Sequence, residues 1–171
     1  MKSESAPPRR TTLLEVNLTD GSVTKEPIPE SWRRRFVGGK GLGARYLYDR
    51  TEAGVDPLGP GNALLFMVGP LSGLIPGEPR YAAITKSPLT DTFLDSYSGG
   101  KFAAHLAGSL GDAMGILVTG RAEEPVSLTV SEGEVSVVMD ALLVGQCNPA
   151  DRIHVLVSYI TKSTSSALST A

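Results

Sequence analysis

Leu14-Glu15-Val16-Asn17-Leu18-Thr19-Asp20-Gly21-Ser22-Val23 is the stretch on which the fold class turns. Leu14, Val16 and Leu18 alternate with Glu15 and Asn17, a period of two that gives an extended chain one apolar and one polar face. Asp20-Gly21 supplies the turn before Val23 continues a second strand, so a β-hairpin is predicted over 12–28. A second hairpin is expected downstream, where Val126, Leu128 and Val130 alternate up to Ser131-Glu132-Gly133-Glu134 and Val135, Val137 and Met139 return. Between the two, Ala63 to Val68 is a continuous apolar run bounded by Gly69-Pro70, the pattern of a fully buried strand. Tyr81 to Thr85 and Met114 to Thr119 read as further strands. Short helices are predicted from Pro29, placing Trp32 and Phe36 on one face, from about Ala44 to Thr51, and from Lys101 to about Leu106. Hairpins at both ends with short helices between them argue for an α+β domain built on antiparallel sheet; a doubly wound parallel sheet is the weaker alternative. Ile153 to Ile160 is strand-like, whereas Ser163 to Ala171 is a Ser/Thr/Ala tract with no pattern to bury and is expected to be disordered.

Composition bounds the chemistry. The 171 residues suffice for one domain, and 16 basic against 18 acidic residues leave a net charge of −2, which carries no nucleic-acid footprint. The run Trp32-Arg33-Arg34-Arg35, continued by Lys40, Arg45 and Arg50, is locally basic and reads either as a solvated helix face or as one turned toward an anion. No stretch approaches the ~20 apolar residues of a membrane span, and the first residues lack a secretory core, so a cytoplasmic protein is expected. Cys147 is the single cysteine, which excludes an internal disulfide or a four-thiolate cluster within this chain; His105 and His154, the two histidines, read as ordinary surface or half-buried residues. Asp91, Asp95 and Asp112 can act as acids or bases, but their spacing selects no pair.

Three glycine-bearing segments stand out: Gly38-Gly39-Lys40-Gly41-Leu42-Gly43, Gly69-Pro70-Leu71-Ser72-Gly73 and Ser98-Gly99-Gly100. Residues without Cβ let backbone N–H groups turn against an anion, and Lys40 adds a point charge. Three such loops in one small domain suggest a shared flat ligand. Arg80 lies between the second and third, and its rigid fork of donors suits a phosphate or a heterocycle edge; the plainer alternative is an ion pair with Glu78 or Asp95. Gly39 to Ala44 also satisfies a loose dinucleotide fingerprint, which requires a buried parallel strand immediately before it. A plain helix-to-helix turn is the third reading of that run.

The ordered series Gly38-Gly39-Lys40-Gly41-Leu42, Val55-Asp56-Pro57-Leu58, Gly69-Pro70-Leu71-Ser72-Gly73, Arg80-Tyr81, Thr85-Lys86-Ser87-Pro88-Leu89-Thr90, Ser98-Gly99-Gly100 and Gly120-Arg121-Ala122 resembles the N-terminal domain of the aldehyde:ferredoxin oxidoreductases. The likeness covers about residues 12–145, leaving 146–171 as a divergent tail. It implies a two-sheet base on which a tungsten, or molybdenum, bis-pterin rests, with Mg²⁺ bridging the pterin phosphates. By position, Gly38, Gly39, Lys40, Gly41, Arg80, Tyr97, Ser98, Gly99 and Gly100 would face that cofactor, and the Tyr97 main-chain carbonyl would bind the Mg²⁺. A [4Fe–4S] cluster is expected only in C-terminal domains of such an enzyme, which would cover the metal, oxidise aldehydes to carboxylic acids and pass electrons to ferredoxin. Two departures are visible: Met114 stands where the family has the aspartate of a Gly-x-Asp motif, the nearby acid being Asp112, and the likeness fades from about residue 141. A truncated or frame-shifted chain, inactive alone, is the expectation; an inactive remnant is a rival reading, and homo-oligomerisation is left open.

Overall fold

The computed structural model describes residues 9–75, 77, 80–99, 101–123 and 126–138, with backbone alone at 138 and 153–157. Its elements in order are β1 (Thr12–Asn17), β2 (Ser22–Pro27), α1 (Glu30–Phe36), α2 (Gly39–Arg50), β3 (Leu64–Val68), β4 (Tyr81–Lys86), β5 (Phe93–Ser98), α3 (Lys101–Ser109), β6 (Ala113–Thr119), β7 (Val126–Ser131), β8 (Glu134–Val138) and β9 (Ile153–Val157). They form a six-stranded sheet, β2-β1-β6-β3-β4-β5, and a three-stranded sheet, β8-β7-β9. All pairings are antiparallel except β1 with β6, so the fold is α+β on mainly antiparallel sheet. Both predicted hairpins are present. The expected disorder of 163–171 lies outside the described residues.

Residue alternation explains how the large sheet is covered on both faces. From one face Leu13, Leu65, Met67, Ile84 and Leu117 pack with Leu42, Tyr46 and Leu47 of α2, and Trp32 and Phe36 of α1 close the edge of this core. From the other, Leu14, Val16, Ile116 and Val118 pack with Leu106 of α3, with Leu110 just beyond its end, and with Val126, Leu128 and Val130 of the small sheet. Strand β6, six of whose seven residues are buried, is the shared wall of the two cores. A bulge puts one extra residue in β6 opposite Thr12 to Leu14, so that Ala113 shares one core with Ile116 and Met114 the other with Leu117. The Lys25 ammonium pairs with the Asp112 carboxylate and so ties the hairpin to the turn before β6.

Two elements differ from expectation. Helix α2 begins at Gly39, not Ala44, so most of the glycine run is helical. The cost of glycine in a helix, up to about 1 kcal/mol each, is offset by the close approach these residues allow. A Cβ on Gly43 would lie 2.2 Å from Ile84 Cδ1 and 3.0 Å from Met67 Cγ, and one on Gly41 would lie 2.8 Å from the Phe36 carbonyl oxygen. Phe93 to Ser98, to which the sequence reading assigns no element, is edge strand β5, with Tyr97 opposite Ala82 and Asp95 opposite Ile84. Its pattern is hidden in sequence because an edge strand exposes much of both faces.

The helix-to-sheet contact predicts opposite outcomes for two glycine-to-alanine changes. Gly43→Ala lowers stability by about 1–3 kcal/mol because the new methyl overpacks Ile84 and Met67. Gly108→Ala in α3, where a Cβ meets nothing within 4 Å among the described residues, raises it by about 0.5–1 kcal/mol. Urea unfolding of the two variants checks both signs; a stabilised Gly43→Ala protein would contradict the close packing described here.

Candidate functional site

An open cleft of about 320 Å³ lies where α2 begins over the ends of β3, β4 and β5, lined by Gly39, Lys40, Met67, Gly69, Ser72, Arg80, Tyr81, Ala82 and Tyr97. The register accounts for its floor. Met67 is opposite Ala82 and Ala82 opposite Tyr97, so the small Ala82 leaves a hollow between two larger side chains in one row. Glycines make one wall. Gly38 is pressed against the end of β3, where a Cβ would lie 3.1 Å from both Pro70 Cδ and Met114 Sδ. This close fit gives a physical reason for Met114 beside Gly38.

The approach to α2 is strained. Val37 has φ 64° and ψ −64°, and the Gly38 N–H donates to the Phe36 carbonyl at 2.7 Å, which together make a positive-φ γ-turn on a β-branched residue. Gly39 follows at φ 51°, and nothing lies within 4 Å of its would-be Cβ. The turn reverses the chain so that α2 starts at the cleft. Its first residue is preceded by Gly38, which gives no side-chain cap. The first N–H groups of a helix lack intrahelical partners, and its dipole places partial positive charge at that end, so this wall of the cleft favours an anion.

Charged side chains complete the site. The Lys40 ammonium is 2.9 Å from Asp95 Oδ2 and stacks over the Phe93 ring at 5.8 Å. Bonding to Asp95 raises the Lys40 pKa; bonding to Lys40, and then to Tyr97, lowers that of Asp95. Burial, followed by the Asp95 carboxylate, raises the Tyr97 phenol. Asp95 thus holds two cleft residues at once. Arg80 makes no ion pair among the described residues; Asp95, one candidate partner, is engaged by Lys40, and Glu78 lies outside the described residues.

Of the residues singled out in sequence, the structure brings Gly39, Lys40, Arg80 and Tyr97 to the cleft. Ser98 sits opposite Tyr81, one residue from Arg80, and Gly99 follows it. Gly100 lies outside the described residues. Gly41 faces the end of α1, and its missing Cβ is explained by Phe36. The dinucleotide reading fails on context, since Gly39 to Ala44 follows α1 and a γ-turn, not a buried parallel strand. Sequence reasoning named Ser72 only as part of its loop and missed the coupling role of Asp95; recognising alternation in Phe93-Leu94-Asp95-Ser96-Tyr97 would have placed Asp95 and Tyr97 on one face. Among the described residues no three His, Cys, Asp or Glu side chains gather to hold a metal, and no helix is long and apolar enough to cross a membrane.

With this geometry in view, comparison with known proteins is specific. The sequence profile of the aldehyde ferredoxin oxidoreductase N-terminal domain matches residues 13–165. The chain belongs to that family. It is 39% identical over 126 residues to a tungsten-containing aldehyde ferredoxin oxidoreductase of Pyrococcus abyssi and 37% identical over 126 residues to that of Pyrococcus horikoshii, in each case 73% of this chain and 20% of the relative. Among solved structures it resembles the active site complex BamBC of benzoyl coenzyme A reductase, in complex with 1,5-dienoyl-CoA, with TM-score 0.70 and 32% identity over 75% of this chain and 20% of the other. The chain therefore spans about a fifth of the length of the relatives it matches.

The Lys40–Asp95 contact has a pH signature. A carboxylate whose pKa is depressed in the folded state contributes stability above its unfolded value and loses that contribution as pH falls through the folded value. The Asp95 carboxyl, followed by NMR, is expected to titrate below the ordinary ~3.9 of a free aspartate, and Lys40→Met to move it upward. An unchanged midpoint in that variant would show that Lys40 does not hold it.

Proposed function

We propose that this domain holds one side of a tungsten, or molybdenum, bis-pterin in an oxidoreductase that converts aldehydes to carboxylic acids. The observation that carries this reading is the meeting of two glycine-bearing segments, at Gly39–Lys40 and at Gly69–Ser72, in one cleft with Arg80 and with Tyr97 of β5. Family membership and tungsten-containing relatives support the identity of the ligand.

The residues present fit such a group. A pterin is flat, rich in hydrogen-bonding edges, and linked to phosphate. The glycine-lined wall admits a flat ring close to the backbone, the uncapped start of α2 suits phosphate, and the Arg80 guanidinium is available to a ring edge or a phosphate oxygen. Lys40, steered by Asp95, adds charge beside it. Tyr97 would offer its main-chain carbonyl to Mg²⁺, a hard cation that takes oxygen ligands, with Ser98, Gly99 and Gly100 allowing close approach. Gly38 and Gly41 act at one remove, by letting α2 start where it does.

When bound, the cofactor supplies the two-electron chemistry that takes an aldehyde and water to a carboxylic acid. This chain's own residues bind and orient it. The cleft is open, so exclusion of water, placement of the aldehyde and electron exit through a [4Fe–4S] cluster to ferredoxin fall to the C-terminal domains of the complete enzyme. Cys147 alone cannot furnish the roughly four thiolates such a cluster needs. A cytoplasmic setting follows from that electron partner.

Arg80→Ala in the complete enzyme is expected to cut tungsten and pterin content while leaving the unfolding midpoint within a degree or so of the parent. A charge-assisted hydrogen bond contributes about 1.5–3 kcal/mol, or about 10-fold to 100-fold in cofactor affinity, whereas an exposed arginine adds little to the core. Metal analysis by mass spectrometry beside thermal unfolding tests it; equal tungsten in variant and parent would refute the role of Arg80.

A further inference from the structure

We infer that Arg10 is a positioning residue of the cleft: its guanidinium fixes the Gly69–Gly73 wall against α3, and so sets the position of Gly69 and Ser72 in the site. Arg10 precedes the stretch matched by the family profile. It donates from one terminal nitrogen to the Gly69 carbonyl at 3.0 Å and from the other to the Ala107 carbonyl at 3.1 Å. The two acceptors are far apart in sequence and belong to different elements, so the planar fork acts as a spacer of fixed width between them.

Each end of the bridge is chemically apt. Ala107 is in the last turn of α3, where carbonyls lack intrahelical partners and the helix dipole is negative, so a cation there is favoured. Gly69 opens a self-bonded turn, in which the Gly69 N–H donates to Ser72 Oγ at 3.0 Å, the Ser72 N–H to the Gly69 carbonyl at 3.2 Å and the Leu74 N–H to the Leu71 carbonyl at 3.0 Å. The same turn touches α3 at Gly73, where φ is 79° and a Cβ would lie 3.3 Å from Ala107 Cβ. The chain beside Arg10 is held by the turn before β6, since the neighbouring Thr11 N–H donates to the Asp112 carbonyl at 2.8 Å. Burial without a carboxylate partner among the described residues lowers the Arg10 pKa. A half-buried guanidinium that donates to two main-chain carbonyls, while its buried Nε has no partner among the described residues, is costly to keep unless the position it enforces matters.

The inference rests on the cofactor reading of the cleft, and its test separates the two. In the complete enzyme, hydrogen exchange of the peptide covering 69–75 and tungsten content are measured for the parent, Arg10→Lys, Arg10→Met and Arg80→Ala. Arg10→Met is expected to speed exchange at Gly69, Ser72 and Leu74 by about tenfold or more, with β3 and β6 unchanged, and to lower tungsten content. Arg10→Lys should fall between Arg10→Met and the parent, while Arg80→Ala loses tungsten with parental exchange in the turn. Uniform exchange changes across the domain, no change in the turn, or an opened turn with parental tungsten content would each overturn the role of Arg10. A parent enzyme that carries no tungsten would instead overturn the cofactor reading, leaving the exchange comparison to decide whether Arg10 holds the wall.

Discussion

The approach of α2 to the large sheet is the constraint on which the rest of the structure depends. Helix axes and sheets separate according to the side chains between them, and here the middle of the first α2 turns presents hydrogen where other helices present a side chain. Gly43 seats Ile84 and Met67, Gly41 seats the carbonyl of Phe36, and Gly38 seats Pro70 and Met114. A larger residue at Gly43 would lift the helix from Ile84, and Leu42, Tyr46 and Leu47 would lose contact with the same core. The cleft exists because this low-lying helix ends, at its N-terminal side, over the row formed by Met67, Ala82 and Tyr97. Packing and site geometry are one feature seen from two ends.

That identity explains what was legible in the sequence. Alternation in Leu14-Glu15-Val16-Asn17-Leu18 and in Val126 to Val130 specifies strands with unlike faces, and both hairpins formed as read. The apolar run at 64–68 is central, flanked by β6 and β4, and no solvent face imposes a polar residue on it. What could not be read locally was the state of the glycine run, because local propensity disfavours helix there and only contacts with Ile84, Met67 and Phe36, distant in sequence or beyond the helix start, make glycine the right residue. Edge strand β5 was obscure for a related reason: its Phe93, Asp95 and Tyr97 side chains are placed by Lys40 and by strand β4, not by burial in a core.

The Thr85-Lys86-Ser87-Pro88-Leu89-Thr90 block of the family series has a structural task. Thr85 Oγ1 donates to the Ala63 carbonyl at 2.8 Å, Lys86 Nζ to the Val55 carbonyl at 2.6 Å, and Ser87 Oγ accepts from the Leu89 and Thr90 N–H groups. Nearly buried Asn62 joins them, its amide nitrogen within bonding distance of the Pro57 carbonyl, Thr85 Oγ1 and the Lys86 carbonyl. This knot fastens the proline-rich connection 55–62 to the far end of β4, four residues along the strand from the Tyr81 end that lines the cleft. Such a segment has no regular partner for its backbone groups, so side chains must supply them. A motif that marks the domain can thus be explained by the backbone groups it satisfies.

The site itself is assembled by opposite means. Its residues make few bonds to one another: Arg80 is exposed, Gly39 faces open space, and the fixed parts are main chain. Rigidity comes from outside the cleft, through the γ-turn at Val37 on one side and the self-bonded turn at Gly69 to Ser72 on the other. Strain at Val37, of order 1–3 kcal/mol for a β-branched residue at positive φ, persists because α1 and α2 are each anchored to the same core by Phe36 and Leu42. Holding backbone donors in place before a ligand arrives reduces the ordering entropy that binding must overcome.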